Sequence, residues 1–439
     1  MNDSSAQVAS DRNNTNASRG VDRRKSLWII YHYAAIPTKD GSEGLHYALA
    51  RYLSPLNWDT TVIAASTSHP SGRQNLSGKS LRKIVQDNGV QSLWLRSPQY
   101  GHSLFQRTLN LIFFSAALLV PRSVSGLPRP DIVFASAVHP VAALAASRLA
   151  RRYQAPFVYE IGDVWPDSLE ELGKIKNGGI LARSLRHMSA RLVSRASLVT
   201  SPLPRIPSYL NDLGFYSKPF VWIPSGTDPD SYGTVSTGPP GQQEARPFRF
   251  MYFGSFNYAN AIEVVLRAFD QACRLAPDIP MACHIVGHGP RESELKHLAS
   301  TLHRSSIIFE PAVPRTEVIR KAQEADCMVT AMHNLPVYRY GISPQKVFDY
   351  LLSGRPTLFA CSAPDNPVQL AEAGTVTPAD DINSLAAAMV DMATSSPAVR
   401  AAMGERGRAY VSANFTYRTL AHRLDRELTA LTVNLGTRT

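Results

Sequence analysis

Two runs of alternating strand and helix patterns are the feature that most constrains the fold of this chain. Short, continuously apolar segments such as DIVFASA (131–137) and PFVYEIG (156–162) are typical of strands that are buried on both faces. Helical patterns such as VAALAASRLARRYQ (141–154) lie between them. A Pro- and Gly-rich segment, 236–247, separates the first run from the second. This order predicts an α/β fold with two parallel sheets, each covered by helices.

The alternation divides the 439 residues into two domains of ordinary size. Ligands of such folds bind at the carboxyl ends of the strands, so we expect a cleft between the two sheets. The other predicted strands are LWIIYHY (27–33), TTVIAAS (60–66), SLWLRSP (92–98), FRFMYFGS (248–255), MACHIVG (281–287), SIIFEP (306–311), CMVTAM (327–332) and RPTLFAC (355–361). The predicted organisation is a disordered tail (1–26), a first domain (27–225), a linker (226–247), a second domain (248–405) and a C-terminal helix (406–439) that crosses back to the first domain.

The excess of positive over negative charge lies in the first half of the chain. Residues 1–250 contain 28 Lys and Arg against 17 Asp and Glu, whereas residues 251–439 contain 18 of each. This excess of positive charge favours anionic partners. Lipid headgroups or a phosphorylated acceptor are favoured over nucleic acid, because the sequence has no zinc-finger, RNA-recognition or helix-turn-helix signature. The apolar segment RTLNLIFFSAALLVPRSV (107–124) is either a helix that lies on a membrane surface or a buried core helix.

The cellular location of the protein is predicted from its apolar segments, its N-terminus and its cysteines. No run of about 20 apolar residues could span a bilayer, and the polar N-terminus does not resemble a secretory signal. We expect a cytoplasmic protein in peripheral contact with the inner face of a bacterial membrane. The four cysteines are isolated and are predicted to be buried, reduced thiols: Cys273, Cys283, Cys327 and Cys361.

The segment YRYGISPQKVFDYLLSGRPTL carries the most informative side chains. Pro344 suits the first turn of a helix, and a helix N-terminus at the cleft offers unpaired N–H groups to a diphosphate. Lys346 and Arg339 could add full charges to the same anion. Asp349 could accept hydrogen bonds from ribose hydroxyls. The alternative is that Ser343 only caps the helix and that Lys346 and Asp349 form a solvated pair.

Acidic and histidine side chains end two strands of the first domain. EIGDVWPDS places Glu160, Asp163 and Asp167 after one strand, and His139 follows another. Such groups could orient an acceptor or act as a base, although the two aspartates could instead cap helical turns. His46, on the first helix, is predicted to be a packing residue.

The motifs resemble glycosyltransferase family 4, in its bacterial surface-polysaccharide branch. GISPQKVFDYLLSGRP is similar to the family's GISPNK-F-E/D-Y-AxGxP element, and HIVGHGPRESELK to its VGxGPxxxxL element. In the first half, YHYAAIPTKDGSEGLHYALARYL and YEIGDVWPDSLEELG resemble HYxxPPxxGGxxRHxxLAxxL and ExRDLWPES. The resemblance runs from about residue 27 to 425 and implies the GT-B fold, in which two Rossmann-like domains face each other across a cleft.

The resemblance also implies roles for individual residues. The donor-binding residues would be Ser255, Asn257, Gly287, His288, Gly289, Arg315, Arg339, Gly341, Ile342, Ser343, Pro344, Lys346 and Asp349. Gly41, Gly44 and Trp165 would lie on the acceptor side. The catalytic candidates are Asp163, His139, Glu160 and Lys346. No metal ion or other cofactor is expected.

Two departures from the family pattern concern the donor site. Many members carry two glutamates eight positions apart; here Asp349 matches the second, and Gly341 stands where the first would be. Many members also have an Arg and a Lys after the first strand of the donor domain, where this chain has Phe256 and Asn260. We therefore expect Lys346, with Arg339 and the helix end, to carry the charge of the diphosphate.

The expected reaction is transfer of a hexose or N-acetylaminosugar from a nucleotide diphosphate sugar to a lipid-linked or polysaccharide-precursor acceptor, and the resemblance to the family implies retention of the anomeric configuration. A UDP-sugar is the favoured donor and a polyprenyl-diphosphate sugar the expected acceptor. The leaving phosphate would take the acceptor proton while Asp163 or His139 positions the hydroxyl. Two alternatives stay open: a nucleotide-sugar epimerase of the same architecture, and a non-catalytic scaffold that binds nucleotide sugar.

Overall fold

The computed structural model contains the two Rossmann-like domains that the alternation predicts. In each, a mostly parallel sheet is covered by helices. The structure describes residues 23–34, 44–69, 71–101, 103–137, 139–232, 246–302 and 306–436. The predicted tail and linker therefore lie largely outside the described residues.

The first domain is built on an eight-stranded sheet. Its strands are β1 (Lys25–Tyr31), β2 (Trp58–Ala65), β3 (Arg82–Asp87), β4 (Val90–Leu95), β5 (Ile132–Ala137), β6 (Phe157–Ile161), β7 (Leu198–Ser201) and β8 (Phe220–Trp222). They lie in the order β3-β4-β2-β1-β5-β6-β7-β8. The helices are α1 (Leu45–Leu53), α2 (Leu104–Leu119), α3 (Pro140–Tyr153), α4 (Asp167–Glu171), α5 (Ile180–Arg195) and α6 (Ile206–Asp212). Every residue of β6 is buried, as expected of a central parallel strand.

The second domain contains a six-stranded parallel sheet in the order β11-β10-β9-β12-β13-β14. Its strands are β9 (Phe248–Ser255), β10 (Met281–His288), β11 (Ile307–Glu310), β12 (Cys327–Ala331), β13 (Thr357–Ala360) and β14 (Gly374–Thr377). The helices are α7 (Ile262–Leu275), α8 (Glu292–Thr301), α9 (Val318–Ala322), α10 (Gln345–Leu352), α11 (Pro367–Leu370), α12 (Ile382–Thr394), α13 (Pro397–Asn414) and α14 (Tyr417–Gly436).

The C-terminal helix α14 packs on the first domain. Leu420, Leu424 and Leu428, spaced four residues apart, are fully buried in the same core as Trp58. This spacing places them on one face of the helix. The indole N–H of Trp58 donates to Asp425 of α14 at 2.8 Å. The chain therefore passes between the two domains twice, first through the linker and then through α14.

Several predicted boundaries differ from the structure. β1 begins at Lys25, inside the predicted tail, and the predicted boundary at 405 falls within α13. The first sheet is not wholly parallel, because β3 forms an antiparallel hairpin with β4. β3 was not predicted, since its residues RKIVQD are mostly polar and partly exposed. The four cysteines are free; three are buried and Cys273 is half-buried.

The segment 107–124 forms most of α2. It is neither a fully buried core helix nor a helix with a wholly exposed apolar surface. Asn110, Phe114 and Leu118 are buried against the first domain, so the helix is part of the core. Ile112 and Phe113 are about half exposed on its other side. Among the described residues, no helix is both long and apolar enough to cross a bilayer.

Candidate active site

Helix α10 begins without a side-chain cap. Pro344 occupies the capping position, and no side chain of the described residues caps the helix. The Ser343 hydroxyl instead accepts a hydrogen bond from the backbone N–H of Ser225 at 2.8 Å, and the Ser343 carbonyl accepts one from the Ser225 hydroxyl at 3.0 Å. The alternative that Ser343 only caps the helix is therefore wrong. The positive end of the helix dipole is left available to an anion.

Lys346, in the first turn of α10, is held by residues of the β9 strand and loop. Its ammonium donates to Asn260 Oδ1 at 2.7 Å and to the Tyr252 hydroxyl at 3.3 Å, and it lies 4.7 Å from the centre of the Tyr252 ring. Although part of the side chain is accessible, burial lowers the pKa of Lys346 to about 7. Asn260, which stands where the family has a basic residue, thus fixes the position of this lysine. The sequence did not indicate that contact.

Asp349 is buried on the next turn of the same helix, with 4% exposure. One carboxylate oxygen accepts from the Thr227 hydroxyl at 3.2 Å and lies 3.4 Å from the Arg315 guanidinium. The alternative of a solvated pair with Lys346 is therefore wrong. The structure brings together Asp349 and Arg315 of the predicted donor site and places Lys346 one turn earlier on the same helix.

The glycines at the end of β10 allow it and the following loop to approach the end of β9 closely. A Cβ atom on Gly287 would lie 2.0 Å from the carbonyl oxygen of Gly254, and one on Gly289 would lie 2.6 Å from the Phe256 backbone. The Phe256 N–H donates to the His288 carbonyl at 2.8 Å, and the His288 side chain is exposed. These glycines are needed for loop packing. Any contact between them and a donor stays a prediction.

The loop after β9 is ordered by its own polar groups. The Ser255 hydroxyl accepts from the Asn257 amide at 2.7 Å, and the Ser255 carbonyl accepts from the Asn260 amide at 2.6 Å. Because Asn260 also binds Lys346, this loop and the start of α10 form one unit. Donor contacts by Ser255 and Asn257 remain predictions.

Gly341 lies against the first domain, and a side chain does not fit there. Its φ is +94° with ψ near 180°, a region that is essentially restricted to glycine. A Cβ atom would lie 2.4 Å from Pro204 Cδ. The next residue, Ile342, is buried in the core. Pro204 therefore occupies the space in which the family's first glutamate would begin.

Arg339 is engaged by carboxylates of helix α4. Its guanidinium lies 3.4 Å from Glu171 and 4.0 Å from Asp167, and it donates to the Tyr340 hydroxyl at 2.9 Å. Asp167 also pairs with Arg186, so it serves this network and does not cap α4. A diphosphate role for Arg339 stays a prediction, and it would require these ion pairs to break.

A cavity of about 440 Å³ lies at the carboxyl ends of β1 and β6 in the first domain. It is lined by Tyr31, Tyr33, Ala34, Gly44, Leu45, His46, Tyr47, Ser136, Glu160, Gly162, Asp163, Trp165, Pro202 and Ser225. Aromatic rings with a few polar groups are typical of a ligand site. Gly44, Trp165, Glu160 and Asp163 of the predicted acceptor side are among these residues. Gly41 lies outside the described residues.

Glu160 is buried beneath this cavity and bonded to His46. The His46 Nε2 atom lies 3.1 Å from both carboxylate oxygens, and the Ser136 hydroxyl donates to one of them at 2.7 Å. Burial opposes ionisation of Glu160, but the charge and hydrogen bond of His46 and the bond from Ser136 outweigh it and lower the Glu160 pKa. Burial and the Glu160 charge raise the pKa of Tyr31 to about 12. His46 is buried and packs against Tyr31, as predicted, and it is also hydrogen-bonded to Glu160 at the cavity, a contact that the sequence did not indicate.

Asp163 lines the cavity and is also bonded within its own loop. One carboxylate oxygen accepts from the Val164 N–H at 2.8 Å and the other from the Trp165 indole at 3.2 Å. The side chain thus holds the Trp165 ring at the cavity. A role for Asp163 in orienting or deprotonating an acceptor stays a prediction.

His139 does not line the main cavity. It is 3% exposed at the start of α3, with Nε2 3.5 Å from Nδ1 of His32. A separate small pocket places it beside Asp163 and Trp165. Burial lowers the pKa of His139 to about 4, which makes it a weak base at neutral pH. A catalytic role for His139 stays a prediction.

The cavity of the first domain meets α10, the helix of the predicted donor site, where Ser225 contacts Ser343; we call this contact the seam. Ser225 lines the cavity and is bonded to Ser343, two residues before α10. Beside it, the Arg205 N–H donates to the Tyr340 carbonyl at 3.0 Å, and the Arg205 guanidinium pairs with Asp365 at 2.5 Å.

Within the described ranges, no group of three or more His, Cys, Asp or Glu side chains could hold a metal ion. Metal independence remains a prediction.

Comparisons with known proteins agree with this architecture. Residues 46–226 match the family model described as a glycosyl transferase 4-like domain, and residues 247–395 match that of glycosyl transferases group 1. Comparison with curated protein sequences finds no match.

Solved structures of the same fold cover almost the whole chain. Sucrose-phosphate synthase from Thermosynechococcus elongatus is 15% identical, with a TM-score of 0.70 over 94% of this chain and 100% of that one. The trehalose-6-phosphate protein of E. coli, bound with UDP-2-fluoro glucose, is 11% identical, with a TM-score of 0.66 over 93% and 99%. Anabaena HepE in complex with UDP-glucose is 13% identical, with a TM-score of 0.62 over 92% and 99%.

The two family matches follow each other along the chain, one on each α/β domain, and the fold is shared with these structures over nearly its full length. The chain is therefore a family-4-like glycosyltransferase of the GT-B fold.

Proposed function

We propose that this glycosyltransferase moves a hexose or N-acetylaminosugar from a UDP-sugar to a lipid-linked acceptor, with retention of the anomeric configuration. The main support is the seam at which Ser225, of the acceptor cavity, is bonded to Ser343, next to the donor helix. A sugar held at the start of α10 would lie beside a hydroxyl held in the cavity. Proximity of this kind is a large part of catalysis between two substrates.

The choice of UDP rests on the similar structures and on the site. HepE binds UDP-glucose, and the E. coli protein binds UDP-2-fluoro glucose. In this chain an open helix N-terminus and the Lys346 ammonium are suited to the diphosphate. Asp349 lies one turn further along α10, beside the guanidinium of Arg315 from the segment after β11, and these two side chains are suited to the ribose and base.

The diphosphate is the leaving group, so the charge that develops on it must be stabilised. Lys346 and the first N–H groups of α10 are fixed before the reaction, because Tyr252 and Asn260 hold the ammonium. Fixed donors directed at developing charge lower a barrier without reorganisation. We assign this stabilisation to Lys346 and the helix end.

A ligand screen tests this function. Thermal unfolding would be followed with UDP-, GDP-, dTDP- and ADP-sugars, and release of free nucleotide would be measured in the same samples. We expect stabilisation by the UDP series together with slow release of UDP. Stabilisation by another nucleotide would overturn the UDP assignment, and the absence of any response would overturn the donor site.

The exposed face of α2 supports contact with an anionic membrane. Phe105, Ile112 and Phe113 recur at helical spacing on this face and are 71%, 50% and 53% exposed. Arg122 follows the helix, and the first half of the chain carries the excess of positive charge. An apolar face beside basic residues is the pattern of a helix that lies in a lipid interface. Such contact would bring the cavity to a lipid-linked acceptor.

We expect the double substitution I112S/F113S to weaken binding to phosphatidylglycerol vesicles by at least about tenfold, since each buried apolar side chain contributes roughly 1.5–3 kcal/mol. Both side chains are exposed, so the melting temperature should hardly change. Leu275→Ser, at a 59% exposed position of α7, is the matched control. Equal sedimentation of all three proteins with the vesicles would contradict membrane contact through α2.

A further inference from the structure

The chain leaves the first domain through a buried segment, 226–228, and not through an exposed loop. Thr227 is fully buried, and Asp228 is 6% exposed. The space around this segment is narrow, because a Cβ atom on Gly226 would lie 2.8 Å from the carbonyl oxygen of Phe415. The first residues of the predicted linker are therefore part of the packed interior.

The second passage of the chain between the domains meets the first at Thr227. The Thr227 N–H donates to the Phe415 carbonyl at 3.0 Å, and the Tyr417 N–H donates to the Thr227 carbonyl at 3.0 Å. Phe415 follows α13 and Tyr417 begins α14. The next residue, Asp228, pairs with Arg51 of α1 at 2.6 Å. The backbone of Thr227 is therefore fixed on both sides.

The side chain of Thr227 contacts a residue of the proposed donor site. Its hydroxyl donates to Oδ1 of Asp349 at 3.2 Å, and the Arg315 guanidinium lies 3.4 Å from the same oxygen. A buried carboxylate requires hydrogen-bond donors. Because threonine is branched at Cβ and this backbone is fixed, few positions are open to the hydroxyl. The hydroxyl therefore holds the Asp349 carboxylate in one orientation.

The orientation of this carboxylate matters for a ligand. Asp349 is only 4% exposed, so a rotation of its side chain would decide whether a ribose hydroxyl can reach an oxygen. Lys346, which is suited to the diphosphate, lies one turn earlier on the same helix. A nucleotide bound at Lys346 would therefore meet Asp349 in the orientation that Thr227 sets.

We propose that Thr227 is a positioning residue of the donor site, whose hydroxyl orients Asp349 to accept a hydrogen bond from the ribose. This inference rests on the proposed function, in which Asp349 binds the ribose. It places the control of ribose recognition in the segment that joins the domains, outside the second domain itself. Removal of the hydroxyl should then weaken only those ligands that carry ribose hydroxyls.

The test compares the affinities of wild type, Thr227→Val and Thr227→Ser for two ligands. UDP has both ribose hydroxyls, and 2′,3′-dideoxyuridine diphosphate has neither. Dissociation constants would be measured by calorimetric titration, and melting temperatures would report folding. Thr357→Val is the matched control, since Thr357 is a fully buried threonine of β13 whose hydroxyl has no hydrogen-bond partner among the described residues.

We expect Thr227→Val to bind UDP about tenfold more weakly than wild type, an effect of the size that loss of a hydrogen bond to a charged group usually has. Its affinity for the dideoxy nucleotide should be unchanged, because that ligand offers Asp349 no hydroxyl. Thr227→Ser keeps the hydroxyl and should bind UDP nearly as well as wild type. Thr357→Val should match wild type with both ligands.

A double-mutant cycle shows whether Thr227 acts through Asp349. Asp349→Ala should weaken UDP binding, and adding Thr227→Val to this variant should weaken it no further. A further loss in the double variant would overturn the proposal, because Thr227 would then act by another route.

Two results with Thr227→Val alone would also overturn the proposal: unchanged affinity for UDP, or an equal loss for both nucleotides, which a general disturbance of the fold would cause. If Thr227→Val does not fold, Thr227→Ala replaces it under the same criteria. Wild type that binds both nucleotides equally well would overturn this inference and leave sugar transfer standing. Wild type that binds neither would refute the proposed function as well.

Discussion

Replacing Lys346 with Ala is expected to lower the rate of sugar transfer by about 100- to 1,000-fold, the loss usually seen when one fixed donor to a developing negative charge is removed. The contacts explain the size of the effect. Phe256 and Asn260 stand where the family has basic residues, and Asn260 holds the Lys346 ammonium in place. Transfer and UDP-induced stabilisation should both fall in this variant. Lys296→Ala, at an exposed lysine of α8 paired with Glu292, is the control.

The same lysine should make donor binding depend on pH. Burial lowers its pKa to about 7, so the ammonium is charged below this value and loses its proton as the pH rises through it. A diphosphate favours the charged form, and UDP affinity should therefore fall as the pH rises above about 7. Calorimetric titration with UDP at several pH values measures this. A Lys346→Ala protein with the same pH dependence would contradict the assignment.

Restoring the family's first glutamate, by Gly341→Glu, is expected to inactivate the protein instead of improving it. The backbone region of Gly341 costs a residue with a side chain roughly 1–3 kcal/mol, and the added Cβ would lie 2.4 Å from Pro204 Cδ. Either the domains separate at this point or the free energy of unfolding falls. If the domains separate, turnover should decrease by about tenfold or more, since each 1.4 kcal/mol that favours the separated arrangement lowers the population of the closed, active one tenfold.

Two further variants separate the causes of that loss. Gly214 also has a positive φ, +85°, but a Cβ added there would meet no atom within 4 Å beyond its chain neighbours, so Gly214→Ala reports the cost of backbone conformation alone. The double variant Gly341→Ala/Pro204→Ala removes the Pro204 ring and should recover part of the activity that Gly341→Ala loses. An active Gly341→Glu protein would show that the contact with Pro204 is not required.

The sequence predicted the fold well because buried parallel strands leave a clear apolar pattern. β6 and β9 appear within one residue of their predicted ends. Two edge strands leave no such pattern: in β3 three residues of RKIVQD are exposed, and the short β14, GTVT, contains two threonines and a glycine. Neither strand was predicted.

The candidate site was predicted less completely than the fold. The side chains of α10 could be found, because helical spacing and the motif place Lys346 and Asp349 on neighbouring turns. Contacts between distant segments could not be found in this way. His46 reaches Glu160 across 114 positions of sequence, and Gly341 meets Pro204 from the other domain. A histidine on a mostly apolar helix gives no sign of such a partner.

Analysis of the transfer product tests the central claim most directly. Wild-type protein would be incubated with the UDP-sugar that stabilises it best and with polyprenyl-diphosphate N-acetylglucosamine, and the product would be examined by NMR. We predict one equivalent of UDP for each new glycosidic bond, with the anomeric configuration of the donor. Conversion of the UDP-sugar to an isomer without acceptor, or binding of the donor without consumption, would contradict the account and favour an epimerase or a non-catalytic scaffold.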